Sequence, residues 1–93
     1  MAAIISGQKT ISSNGTAEQL GSQVINGPLM IKALIANTNN VYVGNVNGDV
    51  ASTNGIELAA GDAVIFDFVG DLANIWIDVD TNDEGVSWLM LDV

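Results

Sequence analysis

A chain of 93 residues holds one domain with a single modest core, only marginally stable on its own unless partners or cross-links help it. It has no cysteine, histidine or arginine, which excludes disulfides, thiolate metal sites, the commonest general base and metal ligand, and the bidentate phosphate fork. Eleven acids against two lysines, Lys9 and Lys32, give a net charge of -9, which argues against nucleic acid and anionic membranes as partners, because both are held by cations.

That acidity is expected to keep a chain soluble when 48% of its residues are apolar. The apolar residues are mostly Ile, Val, Leu and Ala rather than aromatics, a profile of strands partly covered on both faces. The opening "MAAIISGQKT" has an apolar run of only five residues with no cation among them, unlike a secretory signal, and no run of 18 apolar residues follows. Synthesis in a cytoplasm is the expectation.

In chain order, short β-rich runs predict strands at about Lys9 to Ser12, Leu29 to Ala36, Val41 to Val46, Ile56 to Leu58, Ala63 to Val69, Ile75 to Val79 and Val86 to Asp92. Turn signals separate them: "NGT", "NGP", "NTNN", "NGD", "TNG", "AAGD", "GDLAN" and "NDEG". The stretch Thr16 to Ile25 reads as strand, loop or one helical turn, and residues 1–13 as an N-terminal arm or an edge strand. No linker or repeat divides the chain. The predicted fold is all-β, a small antiparallel sandwich or barrel of about six to eight short strands, with little or no helix.

Alternation assigns faces. Asp67 in "AVIFDFV" is expected in water, so Val64, Phe66 and Phe68 point into the core; Asp78 and Asp80 outward put Ile75, Ile77 and Val79 inside. The outward faces carry apolar residues too: Trp76 with Asp78, Ile65 and Val69 with Asp67, Met30 and Leu34 with Lys32. Contiguous exposed apolar residues mark a partner surface.

The acidic stretch "DVDTNDEG" admits three readings: calcium loop, carboxylate pair or turn. Counted as an EF-hand from Asp78, it supplies Asp78, Asp80 and Asn82, but Asp83 stands at the glycine position and Leu89 at the glutamate position. As a carboxylate pair, Asp78 and Asp80 share a strand face, with no histidine, arginine or second pair to hold a substrate. A turn explains more: a three-residue hairpin loop with Gly85 left-handed would pair Asp80 with Trp88, Asp78 with Met90, Ile77 with Leu91 and Val79 with Leu89. That register collects Ile75, Ile77, Val79, Leu89, Leu91 and Val93 on a core face and Trp76, Asp78, Asp80, Trp88, Met90 and Asp92 on the other. The second set has the composition of a protein contact; the alternative is that one or both tryptophans cover a core edge of the same chain.

Other motifs carry no chemistry. The ten glycines fit no phosphate-binding pattern and read as turn residues. Ser12, Ser52 and Ser87 have no base to activate them. Asn14-Gly15-Thr16 matches the letters of a glycosylation acceptor, and the absence of a secretion signal argues against its use.

Residues 31–77 contain an ordered set of pieces: Ala36 to Thr38, Val41 to Gly44, Thr53 to Gly55 with Leu58, Gly61-Asp62, and Asp71 to Ile75 with Asn74. As a set they resemble a pattern of small virion proteins of tailed bacteriophages. The resemblance covers about half the chain and implies a β module of the virion, a capsid decoration (cement) protein sitting as a trimer at capsomer junctions. On that reading the chain is not an enzyme and needs no cofactor or metal. Its partners are the major capsid protein and copies of itself, and its place is the capsid surface. The candidate oligomer or capsid interface is Trp76, Trp88, Met90, Ile65 and Met30. The runner-up is a head-fibre or tail-tip module that binds a cell-surface glycan through Trp76 or Trp88.

Overall fold

The computed structural model describes residues 3–45 and 55–92. In these, eight strands follow one another: β1 (Ala3–Ile11), β2 (Glu18–Gln19), β3 (Leu29–Ala33), β4 (Val41–Gly44), β5 (Ile56–Leu58), β6 (Ala63–Phe66), β7 (Trp76–Val79) and β8 (Glu84–Asp92), with a 3-10 turn at Leu72–Asn74 before β7. They build two antiparallel four-stranded sheets, in the orders β1-β8-β3-β6 and β2-β7-β4-β5. The fold is all-β, a small sandwich, as the alternating pattern predicts.

Period-two alternation sets which side of each sheet meets the other. In the first sheet, the registers align Ile5, Met90, Leu29 and Phe66 in one row across all four strands, and Gly7, Trp88, Ile31 and Val64 in the next. These rows face Val41, Val43, Ile77 and Val79 of the second sheet in one apolar core. A one-residue slip of β8 would exchange Val86, Trp88 and Met90 for Ser87 and Leu89. With about 1.5–3 kcal/mol at stake for each large side chain, the register is firmly specified.

One interior row has unusual members. A Cβ on Gly7 would lie 2.8 Å from the Trp88 ring, so the indole occupies the space a side chain would take. Lys9, on the inner side of edge strand β1, reaches across to β2, the edge of the other sheet, where Nζ lies 2.9 Å from Glu18 Oε1. The pair is half exposed, so its net stabilisation is about 0–1 kcal/mol. An inward-pointing charge on an edge strand also discourages pairing with a stray strand.

The expected hairpin between β7 and β8 does not form. β7 pairs with β2 and β4, whereas β8 pairs with β1 and β3, so Asp80 to Asp83 cross from one sheet to the other. Asp83, not Gly85, takes the left-handed conformation, at φ 68°, a region that Asp tolerates better than most residues. Gly85 is required for a different reason: a Cβ there would run into the Lys9 carbonyl and lie 2.7 Å from Thr10 Cα. The physical cause of the correction is β1, which offers β8 a nine-residue antiparallel ladder.

Further differences follow. The inner face of β8 is Val86, Trp88 and Met90, and Leu89 faces out. β6 ends at Phe66, and Phe68, expected inside, is 70% exposed. β3 stops at Ala33 because Leu34 to Asn37 close a turn, with Asn37 N donating to Leu34 O. Only Glu18–Gln19 of the ambiguous stretch is strand. Val46, Ser52, Thr53, Asn54 and Val93 lie outside the described residues.

Candidate functional site

The acidic stretch is a structural lock. Asp78, expected in water, is 5% exposed because the Ser13–Thr16 loop lies over it. Asp78 Oδ1 accepts from Gly15 N at 3.0 Å and from Val79 N at 2.7 Å. Asn14 donates through its backbone N to Asn82 Oδ1 and through Nδ2 to Asp80 O. Asp80 Oδ2 accepts from the Tyr42 hydroxyl at 2.7 Å, and that bond, with burial, raises the Tyr42 pKa above its ordinary value. The Asp78 and Asp80 carboxylates are thus already engaged by the fold. Among the described residues no group of three Asp or Glu is placed to hold a metal.

Several described residues of the set between Ala36 and Ile75 are likewise engaged by the fold. Asn37 is buried and pairs with Gly85 both ways, Nδ2 donating to Gly85 O at 2.8 Å and Oδ1 accepting from Gly85 N at 3.3 Å. Thr38 and Asn39 donate to the Glu84 carboxylate, and these bonds hold its pKa below the ordinary value. Asp62 accepts from Ala59 N in the turn before β6. Asp71 caps the 3-10 turn through Ala73 N and also accepts from Gln23 N, while Asn74 Nδ2 donates to Val69 O. Side chains that accept at turn and helix starts are placed there by their own chemistry. These residues hold the turns and caps of the fold.

An apolar surface lies on the outer side of the first sheet. The registers put Ser6, Leu89, Met30 and Ile65 in one row across the four strands, and Gln8, Ser87, Lys32 and Ala63 in the neighbouring row. Ile65 is 64% exposed, Leu89 42%, and Met30 between them is half-buried. Among the described residues, neither row contains an acid, although the chain has eleven. Lys32 makes no ion pair among the described residues, Lys9 being taken by Glu18. An apolar centre depleted of charge is the signature of an interface core.

The predicted interface residues therefore separate. Met30 and Ile65 come together, and Leu89, assigned by sequence to the core, joins them. Met90 is 1% exposed and packs inside, so it presents nothing to a partner. Trp88 also turns inward, over Gly7, on the core side. Trp76 stands on the outer face of the second sheet, packed with Ala17 and Tyr42. The proposed face of Trp76, Trp88 and Met90 is thus a correction: it rested on the hairpin register. Ser87 was the signal for the true parity, because it shares Leu89's side and is the polar member of that end of the strand.

Beside Trp76 an open depression of about 490 Å³ is lined by Lys9, Ala17, Glu18, Gln19, Gly21 and Ser22. Compared with known proteins, the chain matches no protein-family model, no curated protein and no solved structure.

Proposed function

We propose that this chain is a non-enzymatic structural protein of a tailed-bacteriophage virion, a decoration protein that assembles as a trimer and clamps neighbouring subunits of the major capsid protein. The supporting observation is a pair of acid-free rows on the outer face of the first sheet, with Ile65, Met30 and Leu89 in one row and Lys32 in the next. The surface pairs an apolar centre with the one lysine left unpaired among the described residues, on a chain of net charge -9. Its complement is therefore an acidic surface, which every other copy carries elsewhere. A contact between two different patches is heterologous and closes into a ring where its rotation is a whole fraction of a turn, whereas an isologous dimer would set Lys32 against Lys32. The phage-like pattern in residues 31–77 supplies the virion context.

The test is cosedimentation with heads assembled from the major capsid protein of the same genome. The reading predicts binding at fixed stoichiometry and heads that disrupt at higher temperature when decorated. Protein that stays in the supernatant at micromolar concentration, with heads of unchanged thermal stability, would contradict it.

A further inference from the structure

We propose that the depression beside Trp76 is a binding site for a neutral pyranose sugar. The inference is independent of the assembly reading, since Trp76 and the Ile65–Met30–Leu89 row lie on different sheets.

A pyranose needs an aromatic platform for its C–H face and, at the rim, groups that both donate to and accept from hydroxyls. Trp76 supplies the platform: its partners across the sheet are Gln19 and Gly44, and Gly44 has no side chain to crowd the indole. Trp88 is unavailable because it packs over Gly7 in the core. The depression, about 490 Å³ and open to solvent, leaves room for a single sugar ring against one side of the protein.

The rim is complete in type. Lys9 has three N–H donors and directs one to Glu18 Oε1, so others are open to a ligand oxygen. Glu18 keeps Oε2 as an acceptor. Gln19 donates through Nε2 to Ala73 O at 3.2 Å, which fixes the amide and leaves its carbonyl oxygen to accept. Ser22 is exposed and both donates and accepts. The ion pair also decides the charge of the ligand: Lys9 and Glu18 cancel locally, and the surrounding -9 repels anions. A neutral sugar is favoured over a uronic or sialic acid.

The test is calorimetric titration of the intact protein, with tryptophan emission followed in parallel. The probes are neutral oligosaccharides of glucose, galactose, mannose and N-acetylglucosamine, and an oligogalacturonate as the anionic control. Saturable binding of at least one neutral series is expected, at least tenfold tighter than the oligogalacturonate and weakened tenfold or more in Trp76→Ala. Because Trp76 also packs on Tyr42, the surface variant Gln19→Ala/Ser22→Ala is measured alongside, and it should weaken binding severalfold with an unchanged melting temperature. No saturable binding by any of the four neutral series overturns the proposal, as does binding undiminished in that surface variant. Neither result bears on the oligomeric state, which tests the assembly face separately.

Discussion

Met90 and Leu89 are adjacent in β8 and face opposite surroundings, one 1% exposed and the other 42%. Met90→Ala is predicted to cost about 2–5 kcal/mol, the range for emptying a packed core site. Leu89→Ala is predicted to change the stability of the isolated subunit by less than about 1 kcal/mol. Urea denaturation of both variants measures the difference; the reverse order would restore the hairpin register. Gly85 admits no relaxation of the same kind, because a Cβ there meets the Lys9 and Thr10 backbone rather than a movable side chain. Gly85→Ala is predicted to destabilise by on the order of 3 kcal/mol or more, since only opening the β1–β8 ladder would make room.

At the scale of elements, the Asn37–Asn40 turn is clasped onto the start of β8 by the Asn37–Gly85 pair and by Glu84. Asn37→Ala removes both of its bonds to Gly85, whose carbonyl keeps the Leu34 N–H, and should cost about 1–2 kcal/mol. Glu84 adds pH dependence. Its folded pKa is lowered, first by the Thr38 backbone N–H, so its stabilisation is present above the ordinary glutamate value and is lost as pH falls through the folded one. Glu84→Gln should therefore flatten the acid limb of the stability curve below the ordinary glutamate value of about 4.3. Melting temperatures along that limb are the measurement.

The same elements show what the sequence made legible. β5 was bounded at Ile56 and Leu58, and Ile75, Ile77 and Val79 were placed inside, because strict alternation and flanking turn residues leave one solution. β1 was read only from Lys9 onward. Its inner face is Ile5, Gly7, Lys9 and Ile11, and the glycine and lysine in the middle hide the apolar period. Only the fold explains them, since Trp88 fills the space over Gly7 and Glu18 meets Lys9. With β1 hidden, β8 had no partner in view except β7, and the hairpin logic placed Trp88 and Met90 on the wrong side. Met30 and Ile65 were singled out correctly as outward apolar residues because each alternates with side chains that belong inside. Their meeting point, Leu89, was a product of register and so was invisible to periodicity alone.

For the whole molecule, exposed apolar residues are spread, with Val24, Ile35, Ile56 and Phe68 exposed as well as Ile65 and Leu89, and it is the charge that is uneven. Acids line the loops and the second sheet's outer face, where Glu57, Asp78 and Asp80 stand near Tyr42, while two rows of the first sheet's outer face carry Lys32 and no acid, Asp67 following just past the end of β6. This asymmetry is what a self-associating acidic protein needs: repulsion over most orientations and attraction in one. Lys32→Glu should weaken assembly at low salt while leaving the fold intact. The most direct test is the solution mass by light scattering at micromolar concentration, for the native chain and for Ile65→Asp/Leu89→Asp. The account predicts a trimer for the native chain and a folded monomer for the variant; a native chain that is already monomeric, or a variant that stays trimeric, would contradict it.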